Sequence, residues 1–403
     1  MRTRRSTTKV QTIYCHDISG IESLPEALFP VINEFHSIEN LLQVNSFFFA
    51  MKGRVFYYKL NEEYSMRYHL SKQFRKTVKS RIHDISRQLS LCVANSPEIT
   101  DVSMLGGVHY LDLSNCISIT DISSLSHCHT LDLHGCTKIF DVSALRDVQV
   151  LSLSHCSEIV DISALGNAHT LILSYCDKIT DVSALGRVHM LDLHNCKGVS
   201  DVSALGNVHN LDLSGCDQIT DVSALGGVYS LNLSGCFKIS DVSKLGGVHS
   251  LDLSYCDEIT DVSALGGVHT LCLDNCYRIK DVEALGKVHN LKLCGCRHLK
   301  DVNMLGGVHT LHLCNCTEIK DVSGLGSVHS LFLRGCNIAD VSALGGVHSL
   351  DLSNCQNITD VSTLGGVHAL NLHGCTSIRD LKTLISLQHY YIKMHRSTHG
   401  VQY

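Results

Sequence analysis

The stretch DVSALGGVHTLCLDNCYRIK, residues 261 to 280, carries Asp261, His269, Cys272, Asp274 and Cys276. Those side chains supply the nucleophile and base of thiol enzymes, the carboxylates of acid–base catalysis and the ligands of zinc. Spacing tests each reading. On a largely extended path, His269 and Cys276 stand roughly 15–20 Å apart, whereas a Cys–His couple needs contact at about 3 Å.

Repetition settles the matter. From Asp101 the chain repeats every 20 residues as D-V-S-A-L-G-G-V-H-x-L-x-L-S-x-C-x-x-I-x. Units begin at every twentieth residue through Asp321. One residue is missing after Cys336, so the later units begin at Asp340, Asp360 and Asp380. Half-units flank the array at Leu91 and Val93 and at Tyr390 and Ile392. The ladder cysteines run from Cys116 to Cys375, once per unit, and a catalytic nucleophile is needed only once. Buried thiols that pack and donate to a neighbouring carbonyl are the expected role. Histidine follows the buried valine in 12 of 14 full units, interrupted by Gln149 and Tyr229, which predicts a ladder of neutral, partly exposed imidazoles. Adventitious zinc or nickel could bind between such rungs. The unbroken Asp column reads as an Asx-type cap at the start of each return turn. No catalytic residue, cofactor or metal ligand set is assigned, and the chain is read as non-enzymatic.

The elements that position these columns follow from the period. The x-L-x-L-x segment alternates in steps of two, so it forms a short strand with its leucines inward. D-V-S-A-L-G-G leaves room for one helical or 3₁₀ turn, begun by the Asp and ended by the glycine pair. One coil buries Val102, Leu105, Val108, Leu111, Leu113, Cys116 and Ile119, and only stacking on neighbours completes that core. About 16 parallel strands spaced roughly 4.8 Å apart make a sheet roughly 70 Å long.

This pattern resembles the leucine-rich-repeat family over 88–393. LDLSGCDQITD and LDLSYCDEITD resemble the cysteine-containing subclass common in F-box proteins, and DVSALGGV resembles the short repeats of internalin-like and phosphatase-regulator-like proteins. The resemblance implies an α/β solenoid, a horseshoe or arc, whose concave strand face binds a protein target. Repeats this uniform also resemble those of large DNA viruses and protists.

Composition bounds the setting. A net charge of −6 spread over both signs gives no reason to expect nucleic-acid binding. MRTRRSTTK at the N-terminus is not followed by an apolar signal core, and no apolar run approaches the roughly 18 residues that cross a bilayer. Twenty cysteines without an export signal predict reduced thiols and an intracellular, cytoplasmic protein with no membrane partner.

Individuality lies where units leave the consensus. The tenth, twelfth, fourteenth and fifteenth residues face outward and vary. Asp112, Asp132, Asp192, Asp212, Asp252 and Asp351 make most of the twelfth column acidic, but it then reads Cys272, Lys292, His312 and Phe332. The fourteenth column reads Asp274, Cys294, Cys314 and Arg334, with Tyr277, Arg278 and Arg297 in loops beside it. A mixed basic and apolar patch of this kind suits an acidic or phosphorylated partner segment. Cys294 and Cys314 could also lie side by side and oxidise, or share a metal.

Residues 1–87 do not repeat. A basic tail (1–20) precedes a helical segment (21–62), a helical bridge (63–87) leads into the solenoid (88–393), and a tail (394–403) follows. The 21–62 segment resembles an F-box: Leu24-Pro25 opens it, Leu28, Ile32 and Phe35 form one face, and Leu41, Leu42 and Val44 another. Phe47 to Phe49 stand where that family has a Trp. The resemblance implies docking on the Skp-family linker of a cullin ubiquitin ligase. A helical cap on an interaction scaffold, with no ubiquitin-ligase link, is the other reading.

Overall fold

The computed structural model of the chain describes residues 58–82, 84–379 and 391–393. It divides into two compact units, residues 1–176 and 177–403.

The first unit opens with strand β1 (Tyr58–Lys59), then helices α1 (Glu62–Leu70), α2 (Lys72–Arg81) and α3 (Ile85–Gln88). Asn61 and Ser71 cap α1 and α2 by accepting the Tyr64 and Phe74 N–H groups at 2.9 and 3.2 Å, satisfying donors that a helix start leaves open. Buried Tyr68, Phe74, Val78 and Ile82 form the helical core. Ser65, fully buried, joins α1 to the sheet: its hydroxyl donates to the Leu60 carbonyl and accepts the Cys92 N–H. Strands β2 (Leu89–Cys92), β3 (Tyr110–Asp112), β4 (Thr130–Asp132), β5 (Val150–Ser152) and β6 (Thr170–Ile172) follow, all parallel and in register. β1 pairs parallel with β2, so the ladder starts one strand before the repeat does.

The second unit continues the pattern with β7 (Met190–Asp192), β8 (Asn210–Asp212), β9 (Ser230–Asn232), β10 (Ser250–Asp252), β11 (Thr270–Cys272) and β12 (Asn290–Lys292). β13 (Thr310–His312), β14 (Ser330–Phe332), β15 (Ser349–Asp351), β16 (Ala369–Asn371) and β17 (Tyr391–Lys393) complete it. Each strand pairs parallel with the next, leucine opposite leucine as Leu251 pairs with Leu271, until Leu370 meets Ile392 on β17. The missing residue after Cys336 leaves this register intact, since Leu331 still faces Leu350. It is absorbed in the turn between Cys336 and Ile338. The fold is a leucine-rich-repeat α/β solenoid, and β2 to β17 are the sixteen strands the period predicts.

The seven expected side chains are buried in every described coil before the last, where Cys375 and Ile378 are half-buried; Val262, Leu265, Val268, Leu271, Leu273, Cys276 and Ile279 are each 2% exposed or less. Thiols of the cysteine column donate to a carbonyl of the preceding coil at 3.0–3.3 Å, as Cys256 does to Leu233 and Cys276 to Leu253. Burial pushes these thiols up, Cys236 to about 12, so they stay protonated and inert.

Two backbone constraints were not anticipated. The fifteenth residue, expected to vary freely, sits in left-handed conformation with φ between 55° and 77°, from Asn195 to Gly374. That region favours Asn and Gly. It also explains an alternation along the stack: Asn195 is followed one coil later by Gly215, and a Cβ there would lie 2.3 Å from the Asn195 Oδ1. The glycine pair has a different cause from the expected left-handed stop. A Cβ on Gly206 would lie 2.3 Å from the Ala224 carbonyl oxygen, so glycine there lets successive return turns stack closely. Ser126 and Arg146 occupy the same place with ψ turned to −24°, against −14° at Gly206.

Candidate functional site

The Asp column behaves as caps. In fourteen consecutive coils, Asp101 to Asp360, one carboxylate oxygen accepts the N–H two residues on at 2.8–3.0 Å. At Asp121, Asp221 and Asp261, bonds from the Ser backbone and side chain hold the carboxyl below its ordinary value. The sign of the linkage follows. A carboxyl whose pKa is lower folded than unfolded stabilises the fold above the unfolded value of 3.8, and that contribution is lost as pH falls through the folded value. These caps therefore add no pH dependence at neutral pH, and their contribution is lost below about pH 4. Urea titrations at stepped pH measure this, and replacing Asp221, Asp241 and Asp261 by Asn, which keeps the acceptor, shallows the acid slope.

The histidine column stacks ring on ring, broken at Gln149 in the first unit and unbroken in the second. In the second unit, rings from His189 to His368 follow one another at 4.6–4.7 Å, with Tyr229 taking its place in the series. These rings are exposed and repeat with the coil, which makes them an architectural edge.

The outward strand face differs from its sequence reading. Its acidic twelfth column is a second set of caps: Asp212, Asp252 and Asp351 each accept the N–H of the fourteenth residue at 2.8 Å. Asn232 does the same for Ser234 at 3.0 Å. Four successive coils of the second unit lack this oxygen cap, because Cys272, Lys292, His312 and Phe332 stand in the column, in register on β11 to β14. Asp274 partly compensates by accepting the Cys294 N–H from the next coil at 2.6 Å. The signal was present in the sequence, since Asp-x-Ser occurs twice per coil, as Asp261-Val262-Ser263 and Asp252-Leu253-Ser254.

The first three of these residues, Cys272, Lys292 and His312, edge a shallow depression of about 430 Å³ over β9 to β13, floored by Leu251, Leu271 and Leu291. Lys292 and Arg334 are exposed, while Cys272, Asp274, His312 and Phe332 are half-buried. The His312 ring lies flat on Phe332, centroids 4.1 Å apart and planes 6° apart. Cys272 meets the Ser254 hydroxyl at 3.0 Å, and burial pushes its thiol up to about 11. The loop members of the expected patch are separately engaged, past the buried cysteines of their coils. Arg278 forms an ion pair with Glu258, and the Arg297 guanidinium lies 5.6 Å from the Tyr277 ring centre.

Cys294, His312 and Cys314 form a cluster that sequence reading only half found. Their donor atoms all lie within 4.8 Å of one another. The Cys314 thiol is held low, first by a hydrogen bond with Cys294 and then by His312, whereas the same bond raises Cys294. The F-box-like residues Leu24, Pro25, Leu28, Ile32, Phe35, Leu41, Leu42 and Val44 lie outside the described residues.

No family model and no curated protein matches the sequence. Among solved structures, an internalin (InlF) of Listeria monocytogenes is 22% identical, covering 81% of this chain and 89% of that one, at a TM-score of 0.49. The functional domain of InlJ from Listeria monocytogenes, described as including a cysteine ladder, is 21% identical over 72% of this chain and 74% of that one, at 0.47. A leucine-rich-repeat protein of Leptospira interrogans is 17% identical over 76% of this chain and 95% of its own, with a TM-score of 0.51. That last likeness, together with the parallel ladders described above, identifies the fold as leucine-rich-repeat.

Proposed function

We propose that the chain is a non-catalytic adaptor that captures a protein partner on the strand face of its second unit. One observation carries this reading: four coils in succession exchange a capping Asp or Asn for Cys272, Lys292, His312 and Phe332, none of which offers the side-chain oxygen of the cap. Departures from a self-consistent local pattern concentrate where function demands them. The exposed Lys292 and Arg334 cations beside the His312–Phe332 stack suit an acidic or phosphorylated segment with an aromatic or aliphatic anchor. On this reading the F-box-like segment 21–62 would dock on a Skp-family linker and present the captured protein to a cullin ubiquitin ligase, in the cytoplasm.

A library of acidic peptides with and without phosphoserine, screened against the full chain, supplies the probe. Lys292→Glu with Arg334→Glu weakens the best peptide at least about tenfold, or roughly 1.4 kcal/mol, while Lys238→Glu leaves it unchanged. Equal binding by both variants sinks the patch. Co-purification with a Skp-family protein, lost on Leu24→Ala/Pro25→Ala, tests the ligase link separately.

A further inference from the structure

We infer that Cys294, His312 and Cys314 form a binding site for a thiophilic divalent cation, zinc foremost, on the outward face of the second unit. The fold itself brings the three together. His312 and Cys314 are two residues apart at the end of β13, so strand alternation turns both to the same side, with buried Leu313 between them pointing inward. Cys294 occupies the same place as Cys314 one coil earlier, and parallel pairing in register sets the two side by side. All three donor atoms therefore fall within 4.8 Å of one another. In tetrahedral zinc sites, thiolate sulfurs at 2.3 Å from the metal are about 3.8 Å apart. Closing the cluster onto an ion thus draws the two sulfurs together by no more than about 1 Å.

The chemistry of the donor set selects the ion. Two thiolates and an imidazole favour zinc or its soft relatives over magnesium or calcium, which take oxygen ligands. Two thiolates also neutralise a divalent charge. Cys294 and Cys314 are half-buried, in contrast to the neighbouring ladder cysteines Cys296 and Cys316, which are buried and donate to carbonyls at 3.2 and 3.0 Å. Phe332 stacked on His312 fixes the ring plane, and Asp274 anchors the Cys294 backbone. Outer partners of this kind orient the ligands of metal sites. No other group of three or more His, Cys, Asp or Glu donors among the described residues converges in this way. Three protein donors leave the fourth position of a tetrahedral ion for water or an incoming ligand.

The test uses the untagged full chain, held reduced with a phosphine, and titrates it with cobalt(II). One equivalent should bring up the visible d–d bands of tetrahedral cobalt together with a thiolate-to-metal charge-transfer band, and zinc should then bleach both. Cys294→Ser with Cys314→Ser removes the charge-transfer band, and His312→Gln shifts the d–d envelope. Cys272→Ser and His269→Ala leave the spectrum as it was. Far-UV circular dichroism confirms that each variant is folded, as expected for residues on the outer face. A chain that gains no charge-transfer band, or one whose band survives the double Cys→Ser change, overturns the assignment. Cobalt bound without that band belongs to the imidazole ladder and also overturns it.

Discussion

Leu251→Ala lowers the stability of the second unit by about 3 kcal/mol, whereas Ser250→Ala, one residue away, changes it by no more than about 0.5 kcal/mol. Leu251 is 1% exposed and stacks in register between Leu231 and Leu271, themselves 2% and 0% exposed. Truncation removes the transfer free energy of the lost methyl groups and leaves a cavity. The neighbours above and below are held by their own strand pairing, so they cannot close it. A coil in such a stack shares its core with its two neighbours, so the loss falls on two interfaces as well as on one coil. Ser250 points outward, and its removal exposes nothing. Urea unfolding followed by circular dichroism measures both, and equal midpoints for the two variants would contradict the inward–outward assignment of the strand.

That assignment was legible because it rests on period alone. Leu251 and Leu253 alternate with Asp252, and twenty-residue spacing places Leu271 and Leu273 beside them, so core and register follow without knowledge of the turns. The same reasoning identified the capping role of Asp261, whose Ser263 stands two residues on. It misjudged Asp252, which caps Ser254 through the same step and was read as free acidic surface. Composition showed the charge but not the bond that engages it. The left-handed fifteenth position was hidden for another reason: Tyr175, Tyr255 and His155 occupy it beside Asn195 and Gly215, so residue type alone suggested variation, although one backbone conformation recurs. Arg278, expected in the patch, is engaged by Glu258, a partner twenty residues away that only stacking brings close. The cluster of Cys294 and Cys314 with His312 needed both register and side-chain direction, and only their neighbouring coils were apparent from spacing. The F-box-like reading of Leu24 to Val44 rests on sequence resemblance.

Removing residues 221–240 leaves a folded chain, while removing 221–230 does not. The first deletion takes out one complete coil. Ile219 and Thr220 then lead into Asp241, which caps Ser243 as Asp221 caps Ser223, at 2.9 and 2.8 Å respectively. Leu211 on β8 meets Leu251 on β10 in place of Leu231, with the same residue types on both sides of the new junction. The cysteine and histidine columns close up by one rung, with Cys256 facing the Leu213 carbonyl that Cys236 now uses at 3.2 Å. In a stack whose stability is a sum over coils and interfaces, the loss is one coil and one interface, a modest fraction of the whole. The second deletion cuts after a half-turn. It removes Val222, Leu225 and Val228 but keeps Leu231, Leu233 and Cys236, so the strand has no return path and its inward face has no partner. The turn after Cys336 shows how much slack a coil holds: one residue can be lost there with register kept, and ten cannot. Circular dichroism and limited proteolysis distinguish the outcomes, a single cooperative urea transition with protease resistance for the first deletion and early cleavage near the junction for the second. If the half-coil deletion were equally resistant, the coil would not be the unit of folding.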